Sequence, residues 1–305
     1  MTPRTAPVLG FFAHIGKVGV AEHVLALLRR LKKRGVPFLV ETDLAALLPA
    51  TVIGTGAASC ARSRDDIGRD ADIVITFGGD GTMLAAAHAV QRYDTPILGV
   101  NLGKLGFLAD IAIDDVLPAV ERILDGAYRV EKRMTLTAID LERKARYRAL
   151  NDIVVSKGGT ARVLRIETFV NGDFLATFLA DGVIIATPTG STAYSLATGG
   201  PIVVPSSNVM ILSPISAHAL TARPIILPAD SEIALQATAE DGAVMVMADG
   251  HYFRENDTSA SLTVRRGSKP VNLVKDIGPN YFETLRTKLS WAQDRRFSNG
   301  QPEKE

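Results

Sequence analysis

The chain has 305 residues, of which 47% are hydrophobic and 22% charged, a length and composition typical of two domains with buried cores. Its 34 Lys and Arg nearly balance 33 Asp and Glu, and the net charge of +1 argues against a nucleic-acid-coating or membrane-coating protein. The single cysteine, Cys60, excludes an intrachain disulfide and a multi-cysteine zinc site, and it favours a reducing, cytoplasmic setting.

The first part of the chain alternates between predicted strands and helices. Residues 1–7 are polar and lack the apolar core of a signal peptide, and no apolar run approaches the roughly 18 residues that cross a bilayer. Apolar runs predict strands at Val8–Ala13, Phe38–Glu41, Asp72–Phe77 and Pro96–Val100. Helical spacing predicts helices at Val20–Arg34, Met83–Arg92 and Asp114–Leu124. This alternation predicts an α/β domain with a parallel sheet over residues 1–128.

The pattern changes after residue 128, where strand-like segments follow one another with few helices. Predicted strands lie at Arg129–Glu142, Ala145–Ser156, Arg165–Val170, Phe174–Phe178, Val183–Ala186, Val209–Leu212, Ile225–Leu227, Glu232–Thr238, Val244–Ala248, Ser261–Arg265 and Val271–Ile277. The dipeptide Asn171-Gly172 suits the type I′ turn of a two-residue hairpin. We therefore predict a β-rich, sandwich-like domain over residues 129–278, a C-terminal helix within 279–292 that can pack back on the first domain, and a disordered tail at 294–305.

A glycine-rich turn, Gly78-Gly79-Asp80-Gly81-Thr82, follows a predicted buried strand and precedes a helix. Glycines let a ligand approach the backbone, and amides at a helix N-terminus favour phosphate oxygens. The predicted phosphate-binding residues are Gly78, Gly79, Gly81 and Thr82. A carboxylate is unexpected in such a turn, because it repels phosphate. Its presence is explained if Asp80 accepts a proton from a hydroxyl or helps to hold a metal ion. The alternative is a tight turn in which Asp80 caps the helix.

Two well-known phosphate signatures, G-x-x-x-x-G-K-[ST] and G-x-G-x-x-G, do not occur, which argues against a Walker-type ATPase and the usual hydride-transfer dehydrogenase.

A second glycine loop, Asn101–Leu108, follows the strand Pro96–Val100, and the ends of parallel strands are where α/β folds place ligands. Asn151-Asp152 offers an amide and a carboxylate, which suit a base edge and a ribose diol. For both segments an ordinary polar loop or turn is the alternative.

Small polar residues are unusually dense in Asp181–Pro201, directly around a predicted buried strand. Tyr194 can stack on a base, and Thr192 and Ser195 can hydrogen-bond to it. His251 follows Asp249-Gly250 at a strand end and can face a site, whereas His14, His23, His88 and His218 are interpreted as structural or surface residues.

These segments together resemble the NAD kinase family. Gly78–Thr82 is similar to its GGDGT motif, Asn101–Leu108 to its N-x-G-x-L-G-F-L loop, Asn151-Asp152 to its Asn-Glu/Asp pair, and Asp181–Pro201 to its long D-G-[VL]-I-x-x-T-P-T-G-S-T-A-Y-S-L-x-x-G-G-P signature. The GGDGT motif also occurs in diacylglycerol-type lipid kinases and phosphofructokinases, whereas the T-P-T-G-S-T-A-Y-S-L stretch is much more specific.

The resemblance implies a Rossmann-like N-terminal domain, a β-rich C-terminal domain, an active site in the cleft between them, and phosphorylation of the adenosine-ribose 2′-hydroxyl of NAD by ATP with a divalent metal ion, Mg²⁺. It implies that Asp80 is the catalytic proton acceptor. The residues that it assigns to dinucleotide binding are Asp80, Gly81, Asn151, Asp152, Arg162, Asp181, Thr192, Ala193, Tyr194, Ser195, Leu196, Ala197 and His251. It identifies no metal ligand, and it implies a homodimer or homotetramer.

One departure from the family pattern concerns Leu179, which stands where many members have an arginine two residues before the Asp of the D-G motif. The preference for NAD over NADH is therefore open, as is the use of inorganic polyphosphate beside ATP. Two other functions remain alternatives: a lipid- or sugar-type kinase that shares GGDGT, and a dinucleotide-binding regulator without catalysis. No nucleic acid or membrane is expected as a partner.

Overall fold

The computed structural model describes residues 6–103, 106–159, 163–275 and 280–291. The described residues form two compact units, one comprising those up to residue 131 and from residue 273 onwards, and the other those between residues 132 and 272. The predicted tail at 294–305 lies outside the described residues.

The first unit contains a mostly parallel sheet with helices, as predicted. Its strands are β1 (Leu9–Ala13), β2 (Phe38–Glu41), β3 (Ala61–Arg62), β4 (Ile73–Gly78), β5 (Ile97–Asn101) and β6 (Ile111–Ala112). Its helices are α1 (Val20–Lys33), α2 (Thr42–Ala45), α3 (Ala50–Ile53), α4 (Arg64–Asp70), α5 (Asp80–Val90) and α6 (Val116–Leu124), with short 3₁₀ turns at Gly56–Ala58 and Ile113–Asp115. The strand order is β3-β2-β1-β4-β5, with β6 also paired to β5, and every pairing within this set is parallel.

Two further strands join this sheet, β7 (Arg129–Arg133) and β20 (Val271–Lys275), in the order β5-β20-β7. The predicted C-terminal helix is present as α8 (Tyr281–Leu289), which begins with a capping box between Asn280 and Glu283. Helix α1 shows why sequence periodicity worked here, because the apolar positions with helical spacing, such as Val24, Leu28 and Leu31, are the ones that are buried.

The second unit is an antiparallel sandwich, again as predicted. Its remaining strands are β8 (Leu136–Asp140), β9 (Ala145–Ala149), β10 (Asp152–Lys157), β11 (Leu164–Val170), β12 (Asp173–Ala180), β13 (Gly182–Ala186), β14 (Val209–Ile215), β15 (Ile225–Pro228), β16 (Ile233–Ala239), β17 (Val244–Ala248), β18 (His251–Asp257) and β19 (Ser259–Arg266). One sheet has the order β15-β14-β13-β10-β17-β18 and the other β12-β11-β16-β19-β8-β9. Buried side chains of both sheets, among them Ile153, Ile185, Ile166 and Leu262, form one hydrophobic cluster.

A buried ion cluster links the two sheets. The guanidinium of Arg254 on β18 donates to the Asp140 carboxylate on β8 at 2.6 and 2.9 Å, to Glu142 at 2.8 Å and to the carbonyl of Ser259 at 2.7 Å. Burial alone would raise the pKa of Asp140, but the hydrogen bonds and charge of Arg254, with backbone amides, outweigh it and hold that pKa below its ordinary value.

The structure corrects three sequence-based predictions. Arg129–Glu142 is not one strand, because β7 and β8 are separate strands that belong to different sheets. Ala145–Ser156 is not one strand, because the chain breaks at Leu150-Asn151 and passes from one sheet of the sandwich to the other. The helix predicted to begin at Met83 begins at Asp80. Strand β18 and the short helices α2, α3 and α4 were not predicted.

Candidate active site

The GGDGT turn lies where β4 ends and α5 begins. Gly78 must be glycine because a Cβ there would lie 2.0 Å from the Thr82 hydroxyl. Gly79 is the N-cap residue of α5 without a side-chain capping bond, so the alternative in which Asp80 caps the helix is wrong. Around Gly79 and Gly81 an added Cβ would meet open space, and Gly81 is exposed. The turn therefore leaves room for a ligand to approach the backbone.

The side chain of Asp80 is held by three consecutive backbone amides of a different loop. Its Oδ1 accepts hydrogen bonds from the amides of Leu108 at 2.9 Å and Ala109 at 3.1 Å, and its Oδ2 accepts one from Phe107 at 3.0 Å. The amides at 107 and 108 belong to the second glycine loop predicted from the sequence. That part of the loop binds the Asp80 carboxylate and so fixes its orientation.

This loop, whose residues 104 and 105 lie outside the described ranges, is anchored on both sides of its contact with Asp80. The Asn101 side chain donates to the carbonyl of Ala109 at 3.2 Å and accepts from the amide of Gly103 at 2.7 Å. Lys275 forms an ion pair with Asp110, and both side chains are largely buried. Gly106 is required by close packing, because a Cβ there would lie 2.0 Å from Oδ1 of Asp80.

In the second unit, several predicted site residues meet at one edge of a sheet. Asp152 at the start of β10 is paired with Ala186 at the end of β13, and Ala248 at the end of β17 is paired with His251 at the start of β18. Because Ile153 is paired with Ala248, these strand ends share one edge. Asn151, Asp152, His251 and the segment that follows β13 therefore converge there.

The backbone of Asn151 is tightly fixed. Its carbonyl accepts a hydrogen bond from the amide of Thr187 at 2.8 Å, and a Cβ on Gly190 would approach that same carbonyl oxygen to 2.1 Å. Its side-chain oxygen is buried and has no hydrogen-bond partner among the described residues. A buried polar atom without a partner is costly, so this amide is suited to a polar group of a ligand.

Asp152 is the neighbouring polar side chain, and only 5% of it is exposed. Burial raises the pKa of its carboxyl group to about 7, and the negative charge of Asp249 contributes to the increase. Asp152 therefore changes its charge near neutral pH, which is unusual for a carboxyl group and typical of functional sites.

The predicted binding segment after β13 folds into a 3₁₀ turn, Thr189–Thr192, and one short helix, α7 (Tyr194–Ala197). Tyr194 is 42% exposed, in keeping with a ring that can stack on a ligand. Ser195 is fully buried and its hydroxyl shares a hydrogen bond of 3.1 Å with Ser213, so its side chain anchors the helix to β14. Thr192, Ala193 and Leu196 are half-buried, and Ala197 is exposed.

The structure does not bring every predicted residue to this edge. Asp181 precedes β13, whereas Thr187 follows it, so a five-residue strand of about 16 Å separates Asp181 from the other residues within one chain. There its carboxylate forms an ion pair with Lys157 at 2.7 Å. Arg162 lies outside the described residues, and no three His, Cys, Asp or Glu side chains of the described part form a group that could hold a metal ion.

Sequence reasoning missed Asp249. Its carboxylate accepts hydrogen bonds from the amides of Leu150 at 2.7 Å, Asn151 at 2.7 Å and Asp152 at 3.2 Å. The available signal was its position in an Asp-Gly turn directly before His251, but only the fold shows that the turn reaches residues almost 100 positions earlier.

Comparison with known families identifies both halves of the chain. Residues 9–128 match the model of the ATP-NAD kinase N-terminal domain, and residues 150–276 match that of the ATP-NAD kinase C-terminal domain. The chain belongs to the NAD kinase family. Among curated relatives, the NAD kinase of Citrifermentans bemidjiense is 41% identical over 272 residues, covering 88% of this chain and 92% of the relative. That of Geotalea daltonii is 42% identical over 282 residues, covering 90% and 94%.

Solved structures of NAD and NADH kinases share the fold. Yeast NADH kinase complexed with NADH aligns with a TM-score of 0.85 at 23% identity, covering 96% of this chain and 90% of the other. An NAD kinase from Archaeoglobus fulgidus in complex with ATP aligns with a TM-score of 0.71 at 22% identity, covering 92% and 99%. In the parts of this family member that the structure describes, no helix is long and apolar enough to span a membrane.

Proposed function

We propose that this chain is an NAD kinase, which transfers the γ-phosphoryl group of ATP to the 2′-hydroxyl of the adenosine ribose of NAD and forms NADP. The observation that carries the proposal is the Asp80 carboxylate, which stands in a glycine turn at the end of β4 and is oriented by three amides. Relatives named NAD kinase that align with about nine-tenths of the chain support the same substrates.

The proposed chemical role of Asp80 is to accept the proton of the attacking hydroxyl. Each carboxylate oxygen has two lone-pair positions, and the three amides occupy two at Oδ1 and one at Oδ2. A position at Oδ2 therefore remains for the hydroxyl proton. As the ribose oxygen forms its bond to the γ-phosphorus, the bond to the leaving ADP oxygen breaks and the proton passes to Asp80.

Phosphate binding is proposed for the backbone of the same turn. Gly79 and Gly81 leave open space, and the N-terminus of α5 favours negative charge. The full proposed set is Gly78, Gly79, Gly81 and Thr82. A divalent metal ion, for which we propose Mg²⁺, would neutralise charge on the transferring phosphoryl group. Mg²⁺ is usually bound by one or two carboxylates with substrate phosphates, which suits a chain whose described residues offer no group of three ligands.

Dinucleotide binding is proposed chiefly for residues of the second unit, together with Asp80 and Gly81 of the first. The unpartnered amide oxygen of Asn151 suits a donor on the base, and the carboxyl group of Asp152 suits the ribose hydroxyls. The exposed ring of Tyr194 is proposed to stack on a base. The family resemblance further assigns contacts to Asp80, Gly81, Arg162, Asp181, Thr192, Ala193, Ser195, Leu196, Ala197 and His251. Of these, Asp181 lies at the opposite end of β13, and the side chain of Ser195 is buried against Ser213. We accordingly assign phosphate binding to the domain at 1–128 and dinucleotide binding to that at 129–278.

The test is NADP formation by the purified chain. With NAD, ATP and Mg²⁺, we expect NADP in proportion to ATP consumed, and no product when ATP is omitted. Parallel reactions with NADH and with inorganic polyphosphate measure the substrate preference left open by Leu179 and the donor range. A chain that phosphorylates diacylglycerol or a sugar but not NAD would contradict the proposal, as would one that binds NAD without turnover. Sedimentation of the same sample tests the predicted homodimer or homotetramer.

A further inference from the structure

The turn between β17 and β18 holds the backbone that enters β10. The carboxylate of Asp249 accepts three consecutive amides, those of Leu150 and Asn151 at 2.7 Å each and that of Asp152 at 3.2 Å. In return, the amide of Asp249 donates to the carbonyl of Asp152 at 3.1 Å. Four hydrogen bonds thus join a two-residue turn to the point where the chain leaves one sheet and enters the other.

The requirements of the turn itself do not explain a carboxylate at this position. Asp249 and Gly250 have φ angles of 48° and 79°, and the flanking Ala248 and His251 are paired, which is the geometry of a two-residue type I′ hairpin. Asn-Gly forms this turn at least as well as Asp-Gly. The chain uses Asn-Gly for another such hairpin, at Asn171-Gly172.

The carboxylate also has an electrostatic cost. It lies beside the buried carboxyl group of Asp152, whose pKa is about 7 because of burial and, second, the charge of Asp249. Strand β13 places the uncharged Ala186 opposite Asp152, whereas β17 places Ala248 opposite Ile153, so that Asp249 follows beside Asp152. The charged or titratable groups at this edge also include His251 at the start of β18, Tyr194 at the start of α7, and Arg133, whose guanidinium lies 3.5 Å from the Thr189 hydroxyl.

We propose that Asp249 is a positioning residue for dinucleotide binding: its carboxylate fixes the backbone of residues 150–152 and thereby aims the side chains of Asn151 and Asp152 at the ligand. The inference rests on the proposed function, since those two side chains are assigned to NAD there. The buried, unpartnered amide oxygen of Asn151 supports it, because such an atom is useful only if its direction is fixed.

Asp249→Asn tests this role. The substitution keeps a residue that favours the left-handed turn, but it replaces one acceptor oxygen with a donor and removes the charge. We expect the KM for NAD to rise about 10-fold, as for a lost charge-assisted hydrogen bond, with the KM for ATP little changed and the melting temperature lowered without loss of the fold. In the parent, ionised Asp152 accepts hydrogen bonds from the ribose hydroxyls, so the KM for NAD should fall as pH rises through about 7. In D249N that fall should occur at lower pH.

The matched control is Asn171→Asp, which makes the reverse exchange in the equivalent turn. There the side-chain oxygen accepts from the amide of Glu232 at 2.8 Å, and an aspartate retains that acceptor. We expect no change in either KM or in the pH profile of N171D.

The outcomes separate this inference from the proposed function. If the parent forms no NADP, the proposed function fails. If the parent is active and folded D249N keeps the parent KM for NAD and pH profile, the positioning role is wrong. Should D249N not fold, Asp249→Glu replaces it: it retains the charge but changes the reach, so it should raise the KM for NAD and leave the pH midpoint in place. A folded D249E with the parent KM would equally overturn the inference.

Discussion

The carboxylate of Asp80 accepts a hydrogen bond from the backbone amide of Leu108 at 2.9 Å, joining the GGDGT turn to a loop 28 residues later. The amides of Phe107 and Ala109 complete the contact. Two family motifs that are separate in sequence thus contact each other, and the second orients the carboxylate of the first. An oriented carboxylate requires little reorganisation when it accepts a proton, which is the condition for efficient catalysis by a fixed group.

Gly106→Ala tests the contact between Asp80 and the loop without removing the carboxylate. A Cβ at position 106 would lie 2.0 Å from Oδ1 of Asp80 and 3.0 Å from the carbonyl of Ala109, so the loop or the carboxylate must move. Because hydrogen bonds to a charged group are then lost, we expect turnover to slow by at least about 10-fold and the melting temperature to fall. Steady-state kinetics and thermal unfolding measure the two effects.

Gly81→Ala is the matched comparison, because an added Cβ there meets no atom within 4 Å. It should leave the melting temperature near that of the parent and raise the KM for ATP or NAD by occupying space proposed for the ligand. If G106A turns over as fast as the parent, the three amide hydrogen bonds to Asp80 are not needed for catalysis. If G81A retains both KM values, position 81 does not face the ligand.

The buried carboxyl group of Asp152 should make the free energy of unfolding depend on pH. Its native pKa of about 7 lies above that of an unfolded chain, so the native state binds more protons between about pH 4 and 7. This group therefore makes the free energy of unfolding fall as pH rises through that window, by about 1.4 kcal/mol per pH unit. Asp152→Asn should remove that fall, as measured by urea unfolding between about pH 5 and 8 without ligands.

Asp173→Asn, at an exposed hairpin position, controls for the loss of a carboxylate. Its free energy of unfolding should follow the parent across the same pH range. A D152N profile parallel to that of the parent would show that Asp152 is ionised in the native state at about pH 5, contrary to its burial.

Much of the fold could be predicted from the sequence, because its signals are local. The apolar run and flanking glycines of β4 and the Asn171-Gly172 turn depend on neighbouring residues, and the structure confirms them. The break at Leu150-Asn151 could not be read in the same way. The alternation of apolar and polar residues does stop there, at Ala149-Leu150-Asn151-Asp152, but the sequence does not show that the amides turn towards Asp249, about 98 residues away.

In the candidate site, too, residues in local motifs could be predicted, whereas contacts that depend on the fold could not. Asp80, Asn151 and Tyr194 were found because they stand in recognisable motifs. Their surroundings were not, since three amides converging on a carboxylate exist only after folding. The burial of Ser195 and the distance of Asp181 from Thr187 likewise follow from the direction of β13 and not from spacing in the sequence.

Tyr194→Ala should weaken NAD binding more than folding. The ring is 42% exposed at the start of α7, so its removal opens little of the core, whereas stacking on a base contributes roughly 1–3 kcal/mol. We expect the KM for NAD to rise between about 5-fold and 150-fold at a nearly unchanged melting temperature. A sharp fall in melting temperature with an unchanged KM would show that the tyrosine serves packing and not binding.

The most direct test of the role of Asp80 is the turnover of Asp80→Asn at saturating NAD, ATP and Mg²⁺. Asparagine keeps the shape but cannot accept the proton, so turnover should slow by about 10²–10⁴-fold, further than in G106A, and excess Mg²⁺ or Mn²⁺ should not restore it. Calorimetry should show that the folded variant still binds NAD. A folded D80N that retains more than about a tenth of the parent turnover would contradict the role of Asp80 as the proton acceptor.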